Sequence, residues 1–279
     1  MASETWTRNP FASPDGMPPG MHAVLLGVLE AMADHPEILR GRRVAQDQLR
    51  PVAGQRLLDA GCGLGEVARA LAAEVGRGGC VVALDLSPDT VAAASARHDD
   101  SAVTYVAGDV AALDLRDAEF DGIRSERVLQ HVAAPDAAIA ELVRVTRPGG
   151  RVCLIDTDWE SLAFDGMPDD VTTRVIGHVG RHLMRDHGRS MGRTLRRRLV
   201  RAGLVDISAT PVVLQFTDPA SAAVVLPMVN RDVPAEADMI PAALVDEWFD
   251  AVDAAARRGD FLAVLTIWVV AGTRPAPVR

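Results

Sequence analysis

From Gln55 to Asp156 short apolar runs alternate with alanine-rich stretches of helical period. Such alternation is the sequence form of repeated strand–helix units wound around a parallel sheet. The segment "RLLDA" predicts a first strand and Leu64–Val75 the helix after it. "CVVALD" predicts the next strand. In "SPDTVAAASAR" Ser87 stands as N-cap and Pro88 at the first helical position, so a helix follows. "AVTYVAGD" and "FDGIRS" predict two further strands, Pro135–Thr146 a helix that stops at "RPGG", and "RVCLIDTD" a fifth strand.

Beyond Asp158 the pattern changes. Residues 168–187 and Ser190–Ala202 predict helices, "LVDISATPVVLQF" a long strand, and residues 217–258 helices interrupted by proline. "FLAVLTIWVVAGTRP" then predicts a closing strand. Ahead of the first strand, Met21–Met32 and Pro36–Leu49 predict two helices. The expected organisation is one large α/β domain over residues 51–279, with helical cap insertions at 158–189 and 217–258 and residues 1–50 as an N-terminal helical part of the cap.

Composition narrows the class. A chain of 279 residues, 48% of them hydrophobic, can bury one full core. Its formal charge of −9, from 38 acidic and 29 basic residues, argues against a general electrostatic grip on nucleic acid or an anionic membrane. A small-molecule substrate fits better, and the sequence leaves the oligomeric state open. Every basic residue is arginine, which excludes Schiff-base catalysis, a pyridoxal-phosphate anchor and a lysine-bearing phosphate loop. Cys62, Cys80 and Cys153 are widely spaced and form no CxxC pair, as expected of thiols in a reducing compartment. The first twenty residues lack a basic start followed by an apolar core, and the apolar runs near Met21–Met32 and Phe261–Gly272 are too short to span a bilayer. The expected location is cytoplasmic.

The chemistry concentrates in "LLDAGCGLGE", Leu57 to Glu66. A glycine-rich turn between a strand and a helix lets a ligand approach the main chain, and the helix N-terminus offers N–H groups to a negative group. The dinucleotide fingerprint is G-x-G-x-x-G, whereas Gly61, Gly63 and Gly65 give G-x-G-x-G with Asp59 at the strand end. A carboxylate there repels a pyrophosphate and holds a cationic amino group, so the expected ligand carries an ammonium as well as a carboxylate. S-adenosylmethionine has both. Asp85 ends the next strand about twenty residues after the last glycine, the offset at which an acid meets ribose hydroxyls. "GDV", Gly108–Val110, ends the third strand with an acid able to accept from an adenine amino group and an N–H able to reach a ring nitrogen.

On the strength of "LLDAGCGLG", "LDLS", "AGDV", "FDGIRSERVLQHV" and "LVRVTRPGGRV", the stretch from Gln55 to Asp156 resembles the class I S-adenosylmethionine-dependent methyltransferases, in the small-molecule group that includes ubiquinone/menaquinone-type and natural-product methyltransferases. The resemblance implies a Rossmann-like, doubly wound, seven-stranded sheet with an antiparallel last strand, here Phe261–Gly272, and an inserted helical cap. It implies that Asp59, Gly61, Cys62 and Gly63 line the methionine part of the cofactor, that Asp85 holds the ribose with Leu86 against adenine, and that Gly108, Asp109 and Val110 read the adenine edge. It places Ser125, Arg127 and Gln130 at the cofactor or acceptor mouth, and His131 at the family's usual histidine position. After the fourth strand "SERVLQH" replaces any "NPPY"-like or "DPPY"-like segment, so a resemblance to base or glutamine-amide methyltransferases fails.

His131 is the candidate catalytic residue, as a contact or proton acceptor near the methyl group; a structural loop-to-helix hydrogen bond is the other reading. His178 and His182 are four residues apart with His187 beyond, but only Asp186 stands at a spacing that extends the set, and no metal is expected. Arg181, Arg185, Arg189, Arg193 and Arg197 recur every fourth residue and read as a solvated face rather than an anion site. Trp159, Trp248, Trp268 and Phe249 are too scattered to form an aromatic cage and read as core.

Two functions are compatible with these residues. The first is methyl transfer from S-adenosylmethionine to a small organic acceptor, by O- or C-methylation in secondary metabolism. The second keeps the cofactor as a structural element in a cyclisation, a rearrangement or simple binding. A dinucleotide oxidoreductase is disfavoured by the glycine spacing.

Overall fold

The computed structural model describes residues 19–97, 100–182, 188–233 and 239–276. Helices α1 (Pro19–Ala33) and α2 (Pro36–Leu49) precede β1 (Arg56–Ala60), α3 (Glu66–Val75), β2 (Cys80–Asp85), α4 (Pro88–Ala96) and β3 (Val103–Ala107). Then come β4 (Phe120–Glu126), α5 (Pro135–Val145), β5 (Thr146–Asp165), α6 (Asp169–His182) and α7 (Met191–Arg201). The chain continues through β6 (Val205–Phe216), α8 (Pro219–Val225), α9 (Val245–Arg258) and β7 (Leu262–Thr273).

The seven strands form one sheet in the order β3-β2-β1-β4-β5-β7-β6. The strands from β3 through β5 are parallel, and β7 runs antiparallel to both of its neighbours. This is the Rossmann-like methyltransferase order that the sequence predicts, with the last strand reversed. Strand order turns outward in opposite directions from β1 and β4, so the crevice for a ligand lies past their carboxyl ends.

Side chains alternate across the sheet with period two. Leu57, Val81, Ala83, Cys153 and Ile155 pack toward α2, α3, α6, α8 and α9. Leu58, Val82, Ile123, Val152 and Leu154 pack toward α5 and α7. Local signals are obeyed at the helix starts. Ser87 Oγ accepts from Thr90 N at 3.2 Å, and His35 Nδ1 accepts from Glu37 N at 3.2 Å to open α2.

Strand β5 departs from the sequence reading at both ends, opening at Thr146 rather than Arg151. Strand β5 continues to Asp165 instead of stopping at Asp158, because after a bulge Ala163–Asp165 pair again with Leu262–Val264 of β7. Residues 158–165, expected to open the first cap insertion, are therefore strand. Helix α6 is described to His182, and the rest of the expected helix, 183–187, lies outside the described residues. Among the described residues no helix is long and apolar enough to cross a membrane.

Candidate active site

Chain geometry at the end of β1 is dictated by glycine. The φ angles of Gly61, Gly63 and Gly65 are +83°, +53° and +77°, a region that a side chain strains. Gly61 also approaches β4's exit so closely that a Cβ there would overlap Val128 Cγ2. The turn hooks onto β2, with Gly61 N and Cys62 N donating to Leu84 O at 2.6 and 2.9 Å. Asp85 then locks it from the side. Its Oδ2 accepts from Gly63 N at 3.0 Å and its Oδ1 from Ser87 N at 3.1 Å. Each oxygen keeps a further lone pair for a hydroxyl donor. Burial raises the Asp85 carboxyl above its usual range, against the pull of those N–H groups.

Beside Asp85, Leu86 is 42% exposed, an apolar side chain left open at the crevice. Gly108 N donates to Asp85 O at 2.9 Å, which draws the end of β3 to the end of β2. Asp109 is exposed with Oδ1 accepting from Ala111 N at 2.8 Å, while Val110 is buried. The structure thus gathers Asp59, Gly61, Cys62, Gly63, Asp85, Leu86, Gly108, Asp109 and Val110 around three adjacent strand ends. The Cys62 thiol is pushed far up by burial and by neighbouring Asp59 and Asp85, so it is not a nucleophile.

Asp59 is 1% exposed, and its Oδ2 has no hydrogen-bond partner. Its other oxygen, Oδ1, lies 3.7 Å from Arg124 Nη1. Burial pushes the Asp59 carboxyl up to about 6 despite the attraction of Arg124. A buried acceptor without a donor is costly, on the order of 1–3 kcal/mol, so this oxygen is suited to a ligand cation.

Sequence reasoning missed what lies behind Asp59. Arg124 Nη2 binds Glu126 Oε2 at 2.5 Å, and Arg42 of α2 binds the same oxygen at 3.1 Å through Nε. Arg42 Nη2 reaches Glu66 Oε1 at 3.0 Å, at the start of α3. Although burial alone would raise it, Arg124, Arg42 and Arg127 hold the Glu126 carboxyl well below the usual carboxylate range. The available signal was an arginine and a glutamate two apart inside "FDGIRSE", which puts both on one face of a strand.

The exit of β4 carries the remaining predicted residues. Ser125 is buried with Oγ donating to Ala60 O at 2.8 Å, so it joins β4 to β1 rather than opening onto the crevice. Arg127 takes a left-handed φ of +54°, and its Nη1 lies 2.9 Å from Met32 Sδ of α1. Such strain in a non-glycine residue is typical of functional turns. Trp159 Nε1 donates to Gln130 Oε1 at 3.0 Å, which fixes the amide so that Gln130 Nε2 donates to His131 Nε2 at 3.1 Å. The His131 lone pair is thereby engaged. Burial, reinforced by Arg127, lowers its pKa to about 3. Asp156, within β5, accepts from Gln130 N at 3.1 Å and is pushed up to about 7 by burial.

The other sequence candidates fall elsewhere. His178 lies on α6, whereas the side chain of His182 and all of His187 lie outside the described residues. No group of three metal-ligating side chains occurs among the described residues. Arg193 grips Asp158 with two bonds of 2.6 and 2.5 Å, and Arg197 is exposed. Trp248 is core, donating to Met228 O at 2.7 Å.

Residues 58–154 match the protein-family model described as "Methyltransferase domain". A 37.1 kDa protein of transposon TN4556 from Streptomyces fradiae is 35% identical over 82% of this chain and 65% of its own length. The demethylmenaquinone methyltransferase of Renibacterium salmoninarum is 36% identical over 42% of this chain and 47% of its own length. The chain thus spans less than two thirds of these curated relatives. Among solved structures, the [4+2]-cyclase SpnF aligns over 86% of this chain and 81% of its own, with a TM-score of 0.56 and 20% identity, a likeness of fold. The glycine turn, the open Asp59 oxygen and the family match coincide, and residues 58–154 make up a methyltransferase domain of the class I, S-adenosylmethionine-dependent kind.

Proposed function

We propose that this chain transfers the methyl group of S-adenosylmethionine to oxygen or carbon of a small organic acceptor in secondary metabolism. The observation that carries the reading is the unpartnered Oδ2 of buried Asp59 beside three left-handed glycines at the strand-order switch. These residues fit the cofactor. Asp59 would take its amino group, Gly61, Cys62 and Gly63 would bring the backbone against its methionine part, and Asp85 would take two ribose hydroxyls on its spare lone pairs. Leu86 would lie against the adenine and Asp109 and Val110 at its edge, with Arg127 and Gln130 at the acceptor side.

When bound, the cofactor supplies a methyl group already activated on a sulfonium. The chain's own work is then alignment and exclusion of water. Arg127, Gln130, His131 and Trp159 form a fixed wall at the exit of β4, tied to Asp156. Neutral His131 is the form that accepts a proton, but a group of such low basicity with its lone pair engaged positions an acceptor better than it deprotonates one. The helical parts at 1–50, 158–189 and 217–258 are proposed to shape the acceptor pocket, since α1 meets Arg127 and β5 delivers Trp159. Unpaired Cys62, Cys80 and Cys153 support a cytoplasmic location.

Mass spectrometry of the cofactor after turnover tests the proposal. Demethylated cofactor should accumulate in step with product. Many turnovers with the methyl group still on sulfur would establish the structural-cofactor alternative instead, in a fold that SpnF shares.

A further inference from the structure

Arginine inside a buried strand is an expensive choice. Arg124 is 2% exposed and sits in a row across the sheet whose other members include Ala83, Asp59 and Cys153. Replacing a buried ion pair by apolar residues of similar volume is often neutral or stabilising, so packing alone gives no reason for it. Its neighbours do. The parallel register of β1 and β4 sets Asp59 directly beside Arg124, and Glu126, two residues on, takes the same face.

We propose that Arg124 is a positioning residue for the amino group of S-adenosylmethionine: anchored by Glu126, it faces Oδ1 of Asp59, keeps that carboxylate ionised and leaves Oδ2 turned to the ligand. The inference rests on the proposed role of Asp59. Every charged group around Asp59 enters the balance. From β4 come Arg124 and Glu126, from α2 Arg42, and from α3 Glu66, with the Cys62 thiol adjoining in the turn. Arg124 favours the ionised carboxylate at 3.7 Å, while Glu126 and Glu66 oppose it and Arg42 supports it from further away. Glu126 therefore has two opposed effects. It holds Arg124 in place, and it repels the carboxylate that Arg124 stabilises.

The test is calorimetric binding of S-adenosylhomocysteine, which keeps the amino group, across pH 5 to 8.5 with parent, Arg124→Met, Glu126→Gln and Asp59→Asn. In the parent, affinity should fall as pH falls through about 6, where Asp59 protonates. In Arg124→Met the midpoint should rise. A midpoint near 8 weakens binding about tenfold at pH 7 and restores most of it by pH 8.5. In Glu126→Gln, with a negative charge removed and its shape kept, the midpoint should drop below the parent's and binding at pH 5 should strengthen several-fold. Opposite movements in two variants cannot come from general loss of structure. An unmoved midpoint in either variant, or an Arg124→Met loss equal at every pH, overturns the inference. If Arg124→Met does not fold, Arg124→Gln, which keeps a polar side chain on that face and removes the charge, takes its place in the same titration. Parent-like, pH-dependent binding by Asp59→Asn would instead bring down the cofactor assignment itself.

Discussion

Replacing Gly61 by alanine tests how the turn is built without touching any charged group. Two effects add. At φ +83° an L-residue costs about 1–2 kcal/mol, partly offset by about 0.4–1 kcal/mol from stiffening the unfolded chain. The new Cβ would also overlap Val128 Cγ2 and lie 3.3 Å from Val128 Cβ. Relieving that overlap means displacing a side chain packed against the α5–α7 side of the core, an overpacking cost of about 1–3 kcal/mol. The net loss should be about 2–4 kcal/mol, a fall in Tm of roughly 4–8 °C for a chain of this size. Val128→Ala removes both γ-carbons and costs about 1–2 kcal/mol alone. In Gly61→Ala/Val128→Ala the overlap with Cγ2 vanishes while the 3.3 Å approach to Cβ and the strain remain, so the double variant should be more stable than the sum of the single losses by about 1–3 kcal/mol. Denaturant titration of the four proteins measures this coupling. Additivity within about 0.5 kcal/mol would refute the close approach of the turn to β4.

Other outcomes are expected at the same site. Asp85→Ala should weaken both S-adenosylmethionine and its demethylated product by about a hundredfold or more, since two charge-assisted bonds of about 1.5–3 kcal/mol each disappear, while Cys62→Ala should leave calorimetric affinity nearly unchanged. Asp59→Asn should stabilise the cofactor-free protein above pH 6 by on the order of 1–3 kcal/mol, because a buried acid whose pKa is raised to about 6 destabilises the fold increasingly as pH rises from 4 toward that value; thermal melts at pH 8 that fall instead would contradict it. Trp159→Phe should free the Gln130 amide and so change kcat or acceptor KM without changing cofactor affinity; an equal loss in cofactor binding would place Trp159 in the wrong site.

Much of the cofactor side was legible because its requirements are local. A left-handed turn needs glycine, and a strand end needs its acid within a few residues, so "DAGCGLG" and "LDLS" announce themselves. Arg124 and Glu126 were legible as sharing a strand face, but not as buried. A charged residue in a strand reads as solvent-facing, and only the register with Asp59 and the arrival of Arg42 from α2 show that this face is buried. Ser125 looks like a lining residue by position, yet the hydroxyl is turned to Ala60 O by the closeness of β1. For His131 the position was readable and the chemistry was not. Its tautomer follows from the Trp159 indole in β5, far downstream in sequence, that donates to the glutamine between them in space.

The place of β7 in the sheet has a consequence for how the protein is made. It is the last strand in chain order, yet it lies between β5 and β6 and supplies the only ladder to β6 among the described strands. At translation rates of about 5–20 residues per second, β6 leaves the ribosome a few seconds before the strand that will hold it. During that interval Val212, Leu214 and Phe216, all buried in the finished protein, face solvent, and one edge of β5 stands open. The parallel half that carries the glycine turn has by then all of its strands. Nascent chains stalled before Leu262 should consequently expose apolar surface from the antiparallel half, recruiting chaperones there, while the parallel half is already assembled.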